Sequence, residues 1–258
     1  MAFNVGLRRQ FPEIGELVGR RGQPRLRPER AVPVDVGIEG RLTPNVRWQV
    51  TVYARSERDV LDLPGKYVQL VAGVLQPQST TSRYDNRLKG SARGVEFLLQ
   101  RKSPNALSGW IAYSLAHARY QDQVTGERFD GDYDQRHTLS LFGRYWLSDR
   151  TSVNARWRFG SNLPIAGYLE GQSDGRYFVT ADRNSSRVPA YSRLDVRVDR
   201  TYQWGSRRVT LFAEVANLLN RQNVRQVPPF IDFQSRQAFE PLQKMFPFLP
   251  SIGATLEF

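Results

Sequence analysis

The chain has 258 residues, of which 40% are hydrophobic, and a formal net charge of +12. It contains no cysteine, which excludes disulfide frameworks, thiolate metal sites and cysteine nucleophiles. Its apolar runs fall short of the roughly 18 residues that a membrane-spanning helix requires, so helical insertion is excluded.

Segments that alternate apolar and polar side chains recur along the chain, which predicts β-strands. In 193–199, for example, Leu194, Val196 and Val198 point to one face of the strand, and the charged residues between them point to the other. In chain order the predicted strands cover 2–7, 32–38, 48–52, 95–100, 107–115, 138–147, 153–159, 193–199, 208–216 and 251–258. The sequence therefore predicts about ten antiparallel strands.

The connections between these strands alternate between short and long. Tight turns are predicted near 43–46, 103–106, 148–150 and 204–206, whereas the long connections cover 62–89, 121–135, 161–190 and 221–248. Outer-membrane barrels have this asymmetry, with short periplasmic turns and longer extracellular loops. We therefore predict one all-β domain over 1–258: an antiparallel up-and-down transmembrane β-barrel, or a section of one.

The last predicted strand agrees with this topology, because after four short turns it must run towards the periplasm. It ends on Phe258, an aromatic residue on the predicted lipid-facing side. Aromatic residues near the short turns would form a girdle at one membrane interface. The alternative is that aromatic residues simply favour strands. The residues concerned are Trp48, Tyr145, Trp146, Tyr202, Trp204 and Phe258.

The positive charge is spread over the whole chain and forms no compact basic run, which argues against a nucleic-acid partner. Several arginines instead recur on the polar face of the strands, where they would line the barrel lumen and favour anionic ligands. The alternative is that they pair with the carboxylates of Asp195, Asp199 and Glu214 on neighbouring strands. The predicted lumen-facing arginines are Arg144, Arg156, Arg158, Arg193 and Arg197.

The sequence predicts no catalytic residue, cofactor or metal ion. It lacks a Gly-x-Ser-x-Gly motif and a phosphate-binding glycine loop. His117 and His137 have no carboxylate at a convincing ligand spacing. The acidic run superficially suits calcium but lacks the twelve-residue calcium-loop pattern, so we expect a solvated extracellular loop. That run comprises Glu127, Asp130, Asp132 and Asp134.

Several short motifs, in this order and at this spacing, resemble the C-terminal part of the TonB-dependent outer-membrane receptors. The segments similar to that family are Leu26-Arg27-Pro28-Glu29-Arg30, Gly94-Val95-Glu96, Asp134-Gln135-Arg136-His137, the run from Phe212 to Asn220 that ends in Asn217-Leu218-Leu219-Asn220, and Leu249-Pro250-Ser251-Ile252-Gly253 before the terminal Phe258.

The resemblance implies an outer-membrane receptor that takes up a scarce nutrient such as a ferric siderophore. Its partners would be outer-membrane lipid, lipopolysaccharide and the barrel assembly machinery, with Phe258 as the assembly signal. These receptors have about 22 strands around an N-terminal plug. We find no plug, no secretion signal in 1–20 and no segment for engaging TonB, so we expect a fragment that contacts TonB only through a missing N-terminal region.

Two other classes remain open on the sequence. One is a self-contained ten-strand outer-membrane pore or structural barrel, which would need its first and last strands to pair. The other is a soluble basic binding protein, which would have to cover its apolar strand faces.

Overall fold

The computed structural model describes residues 1–103 and 106–258, and these residues are almost entirely β-structure. In chain order the elements are β1 (Ala2–Val5), β2 (Arg8–Gln10), α1 (Ile14–Val18), β3 (Glu29–Thr43), β4 (Val46–Asp62), β5 (Gln69–Val71), β6 (Val74–Gln76), β7 (Asp85–Arg101), β8 (Ser108–Asp122), β9 (Arg128–Asp130), β10 (His137–Ser148), β11 (Thr151–Gly160), β12 (Leu169–Gly171), β13 (Tyr177–Val179), β14 (Tyr191–Trp204), β15 (Arg207–Ala216), β16 (Val224–Gln226), β17 (Phe230–Ile231), β18 (Gln237–Phe239), β19 (Leu242–Lys244) and β20 (Leu249–Glu257).

One antiparallel meander dominates the structure. Its path is β1-β3-β4-β7-β8-β10-β11-β14-β15-β20, with β2 added beside β3 and β9 beside β8. These ten strands are the ten that the alternating pattern predicts, so the fold class is confirmed. Of the four predicted turns, the one at 103–106 lies partly outside the described residues.

Three strands, β4, β7 and β8, extend further towards the long connections than the alternating pattern indicates. β4 reaches Asp62 and pairs with β7 along nearly its whole length, from Val46 opposite Arg101 to Asp62 opposite Asp85. Irregular pairing near Val60 marks a bulge in this ladder. Backbone hydrogen bonds continue through the bulge, so the strand persists where the apolar alternation has ended.

The two faces of the meander differ in chemistry. Val36, Val52, Val95 and Leu115 lie opposite one another on four adjacent strands, and each is 37–53% exposed. On the opposite face the neighbouring row is polar and comprises Thr51, Glu96, Ser114 and Thr138. No other part of the described chain covers the apolar face, whereas a soluble sheet would bury it.

The meander is an open sheet. Among the described residues β1 pairs only with β3 and β20 pairs only with β15, so the two edge strands do not meet. The structure is therefore a barrel section, not a closed ten-strand barrel. The self-contained pore requires a closure that this structure does not have.

The long connections fold together at one end of the sheet as a separate layer, which we call the loop layer. It contains three small sheets, β12-β13-β18-β17, β16-β19 and β5-β6. A hydrophobic core inside it is formed by Ile165, Leu169, Val179, Val188 and Ala238. The sequence did not predict these short strands or helix α1. Within the described residues, no helix has the length and apolarity to cross a membrane.

Candidate functional site

A cavity of about 1020 Å³ lies between the polar face of the sheet and the loop layer. Strand residues such as Thr51, Glu96 and Ser114 form its wall. Long connections supply other lining residues, including Tyr133 from 123–136 and Gln226 from β16. The cavity therefore joins residues that are far apart in sequence, and its size suits a small organic ligand or chelate.

A buried arginine, Arg183, lies behind Tyr67, one of the residues that line this cavity. The Arg183 guanidinium forms an ion pair with Asp62 at 3.2 Å, at the end of β4. It also lies 4.0 Å from the ring centre of Phe129 and 5.8 Å from that of Tyr67. Because a buried cation is costly unless it is paired, these contacts hold 161–190 against two other connections.

A second cluster of charges attaches the same segment to β8. Arg187 Nη2 lies 2.6 Å from Asp130 Oδ2 and 2.7 Å from Asp134 Oδ2, and Arg136 Nε lies 2.5 Å from Asp134 Oδ2. The backbone N–H of Ala118 donates to Asp134 Oδ1 at 2.7 Å. This cluster is thus an ion-pair network that connects three segments of the chain.

The acidic run is therefore not the solvated loop that the sequence predicts. The Asp134 side chain is fully buried, and Asp130 is largely covered. Burial raises the pKa of each carboxyl, but the hydrogen bonds from Arg187 and the neighbouring arginines outweigh burial and lower both pKa values. Sequence spacing could not show this, because Arg187 comes from a connection more than fifty residues away.

The same cluster contains a possible ligand set for a metal ion. One ligand atom from each of His117, Asp130 and Asp134 lies within 4.8 Å of the others. Arginines nevertheless occupy the carboxylate oxygens, and His117 Nε2 is 3.4 Å from Asp130 Oδ1. Cationic side chains around a carboxylate pair suit an ion-pair network better than a cation site. His137 lies apart from it, where its Nδ1 is 2.8 Å from the Tyr113 hydroxyl.

The structure places the five predicted arginines on the face that carries the cavity. Arg158 lies directly opposite Arg193 in the β11–β14 ladder. Between them Asp195 accepts a hydrogen bond from Arg193 Nε at 2.6 Å and lies 3.5 Å from Arg158 Nη2. Arg158 thus pairs with a carboxylate on a neighbouring strand, as the alternative predicts, whereas Arg193 pairs with one on its own strand.

Arg197 also forms ion pairs: its Nη2 lies 2.7 Å from Asp199 Oδ1, and its Nη1 lies 3.5 Å from Glu214 Oε2. Arg144 instead stacks on the Trp146 ring, 4.1 Å from its centre. Arg156 is exposed and has no ion pair within the described part of the chain. Ion pairs with strand carboxylates thus neutralise much of the positive charge that the sequence predicts for the polar face.

Three asparagines organise the loop layer, and sequence reasoning missed two of them, Asn184 and Asn223. Asn184 has a positive φ of 58°. Its Oδ1 accepts from Gly167 N at 2.9 Å, and its Nδ2 donates to Asp132 Oδ1 at 2.8 Å. Asn223 both accepts from and donates to the Ser192 backbone, and Asn217 caps the end of β15. For Asn184 and Asn223 the sequence signal is the preference of asparagine for turns and left-handed conformations, whereas Asn217 also stands in a motif that the sequence singles out.

A family model described as "TonB dependent receptor-like, beta-barrel" matches residues 3–218. A search of curated proteins found no match. Among solved structures, the chain is similar to the ferric-catecholate import receptor Fiu from E. coli K12, with a TM-score of 0.61 and 14% identity over 98% of this chain and 32% of that one.

It is also similar to BauA, the ferric preacinetobactin receptor of Acinetobacter baumannii, with a TM-score of 0.64 and 12% identity over 99% of this chain and 33% of that one. The ferripyoverdine receptor of Pseudomonas aeruginosa gives a TM-score of 0.57 and 14% identity over 90% and 27% of the two chains. The chain thus spans about a third of these receptors. On the family match and the barrel-section fold, the chain belongs to the TonB-dependent receptor family.

Proposed function

We propose that this chain forms part of the wall and ligand-capturing loop layer of an outer-membrane receptor for a scarce nutrient. The observation that carries the proposal is the cavity of about 1020 Å³ between the polar strand face and the loop layer. The exposed apolar face is suited to lipid, and the polar face to the inside of a barrel. This role is binding and transport, with no catalytic step.

A ferric siderophore is the proposed class of nutrient. The similar structures include receptors for ferric catecholate, ferric preacinetobactin and ferripyoverdine. One further similar structure is a copper transporter, so binding measurements must show whether the ligand carries iron or copper. Lys66 and Arg225 at the cavity favour an acidic chelate, while Glu96 and Asp132 in the same lining oppose one, so the charge of the bound chelate is a point for measurement.

Uptake would depend on TonB, through residues outside this chain, because the segments described here supply wall and loops only. Insertion would depend on the barrel assembly machinery, with Phe258 as the terminal recognition residue. Phe258 is 89% exposed, and Arg207 lies 5.2 Å from its ring centre, so the side chain is open to a partner.

The proposed ligand site in the cavity is tested by measuring chelate binding to the protein produced from its natural gene and purified in a neutral detergent. Tyr133 lines the cavity and is 90% exposed, so Tyr133→Ala removes a ligand contact with little effect on folding. We expect roughly three- to tenfold weaker binding of a ferric catecholate or hydroxamate, measured by fluorescence quenching, from loss of one aromatic contact.

The matched control is Tyr145→Ala, near a short turn and 51% exposed. Equal affinity of Tyr133→Ala and the unaltered protein for every chelate would contradict the cavity assignment. Binding of copper chelates in place of ferric ones would support the receptor role but contradict a ferric siderophore as the nutrient. Growth on the bound chelate that persists without TonB would reject coupled uptake.

A further inference from the structure

Glu96 is a carboxylate on the polar face of the sheet that has no ion pair among the described residues. It lies on β7, directly opposite Thr51 on β4 and Ser114 on β8, and it lines the cavity. β7 is an interior strand of the meander and is hydrogen-bonded to a neighbour on each side. The sheet around Glu96 is therefore complete, and its unpaired carboxylate does not result from an open edge.

The strand residues around Glu96 are all uncharged. On one face of a sheet, the nearest neighbours stand directly opposite, diagonally opposite and two positions along the same strand. At Glu96 these neighbours supply hydroxyl groups, one amide and small or aliphatic groups, but no cation. They are Thr51, Ser114, Gln49, Tyr53, Ala112, Ala116, Gly94 and Leu98.

Other carboxylates on this face are paired with an arginine of their own strand. Asp195 Oδ1 lies 2.6 Å from Arg193 Nε, and Glu57 Oε1 lies 2.9 Å from Arg55 Nε. A carboxylate that meets only neutral groups loses water without full compensation when a ligand fills the cavity. A ligand that covers Glu96 must therefore supply a hydrogen-bond donor, and a cationic donor compensates best.

The charges that line the cavity near the sheet and its adjoining connections are already compensated. Arg158 is paired with a strand carboxylate, as described above. Burial lowers the pKa of the Lys66 ammonium, but the Tyr67 hydroxyl and the Asp132 carboxylate outweigh burial and raise it. The positive charge of Lys66 is thus balanced within the loop layer, and Glu96 keeps its own charge.

Arg225 lies at the other end of the cavity from Glu96. It belongs to β16, and Asn223, two residues before it, binds the Ser192 backbone at the start of β14. β14 is four strands from β7 along the path of the meander. At ~4.8 Å per strand, roughly 19 Å of sheet separates the two strands, which is too far for an ion pair.

An aromatic ring lies near the carboxylate. Tyr133 and Glu96 both line the cavity, and both also line a second, adjoining cavity of about 700 Å³. The Tyr133 side chain is 90% exposed, whereas the Tyr67 ring already has the Lys66 ammonium 5.0 Å from its centre. A carboxylate beside an open aromatic face is a combination that suits an ammonium group.

We propose that Glu96 is a specificity-determining residue of the cavity and accepts a hydrogen bond from a cationic amine of the bound chelate, with the Tyr133 ring against the same group. The selected class is a ferric chelate that carries a primary ammonium group. A trianionic tricatecholate would instead place negative charge against Glu96. The inference rests on the proposed function, because it needs a chelate to enter this cavity.

The test changes one charge on the ligand and one on the protein. The ligands are the ferric complex of a linear trihydroxamate with a terminal amine and the same complex with that amine acetylated. Their binding to the protein produced from its natural gene is measured in neutral detergent by fluorescence quenching. The Glu96→Gln variant keeps the size of the side chain, removes its charge and breaks no hydrogen bond or ion pair within the described residues.

The matched control is Glu39→Gln, because Glu39 lies on the same polar face, directly opposite Gln49, and is not among the described residues that line the cavity. We expect the unaltered protein and the control to prefer the amine form on the order of tenfold, as one charge-assisted hydrogen bond gives. The Glu96→Gln variant should bind both forms equally and the tricatecholate more tightly. Its unchanged melting temperature would separate a lost contact from lost folding.

An amine preference that persists in the Glu96→Gln variant, or that is lost equally in the control, would overturn the inference. Equal affinity of the unaltered protein for the two trihydroxamates, or binding of the tricatecholate alone, would also overturn it. Failure to bind any ferric or copper chelate would remove the proposed function as well, whereas chelate binding without amine discrimination would remove only this inference.

Discussion

Asn217 shows how one buried side chain can end a strand. It is 1% exposed with a φ of 54°. Its Nδ2 donates to the carbonyls of Arg221 and Phe246 at 3.0 Å, and its Oδ1 accepts from Arg221 N at 3.1 Å. These bonds bring the connection after β15 back to the start of β20. The Asn-Leu-Leu-Asn motif therefore has a structural explanation that the sequence alone did not supply.

We predict that Asn217→Ala lowers the free energy of unfolding by about 2–4 kcal/mol, since the buried side chain loses three hydrogen bonds. Denaturant titration of the micelle-bound protein measures it. Asn45→Ala, in an exposed turn, is the control. Equal stability of the two variants would show that the cap contributes nothing.

Both the backbone angle at position 167 and the lack of space around it favour glycine there. Its φ is +109°, and an added Cβ would lie 3.1 Å from Cδ1 of Tyr67. Gly73 has a φ of +80° but open space around it. We predict that Gly73→Ala costs about 1 kcal/mol from backbone strain alone, and that Gly167→Ala costs more and also loosens the cavity.

Hydrogen exchange of 161–190 and thermal unfolding measure the difference between these two glycine variants. Similar exchange rates and melting temperatures in both would mean that Tyr67 moves aside freely. In that case the Tyr67 side chain in the cavity wall would be more mobile than its contact with Arg183 indicates.

At the scale of elements, Asp130 and Asp134 connect the loop layer to β8 through charge. Because both pKa values lie below the ordinary 3.8, the unfolded chain takes up protons first as the pH falls. The stabilisation is therefore fully present above the ordinary pKa and is lost as the pH falls further, through the lowered values. We predict an intact loop layer at pH 5 and detachment only below about pH 4.

Hydrogen exchange of 161–190 across this pH range detects the detachment. Asp134→Asn should flatten the acid dependence while weakening the layer at neutral pH, since Arg136 and Arg187 would lose a charged partner. A midpoint above pH 5, or an unchanged profile in the variant, would exclude this carboxyl pair as the connection.

The strands could be predicted because each one alternates apolar side chains, which face one environment, with polar side chains, which face another. Leu194, Val196 and Val198 alternate with charged residues, and the strand predicted at 193–199 lies inside β14, which begins at Tyr191 and continues to Trp204. The loop layer could not be predicted, because its core joins Ile165 to Ala238 across 73 positions. Likewise Arg183 and Arg187 have no local pattern, and their partners lie on other connections.

At the scale of the whole molecule, the open sheet leaves two hydrogen-bonding edges exposed. In β20, Ile252 is 86% exposed, and in β1, Phe3 is 65% exposed. Unpaired apolar edges bind other edges, and in lipid an unsatisfied backbone is costly. We predict that this 258-residue chain, refolded alone into detergent, forms mixed oligomers without heat-modifiable migration on gels.

Size-exclusion chromatography with circular dichroism checks this prediction. The control is the protein produced from its natural gene, which should migrate as a single heat-modifiable species if it supplies the missing edges. A monodisperse, heat-modifiable monomer from the short chain would mean that β1 and β20 can close against each other.

The separate core of the loop layer also has an evolutionary consequence. Because Ile165 and its neighbours pack among themselves, a substitution at a cavity-lining loop residue need not disturb strand register. New ligand preferences can therefore arise by exchanging loop segments on an unchanged wall. Under the receptor role proposed above, ligand preference would then change with the loops while the strands stay as they are.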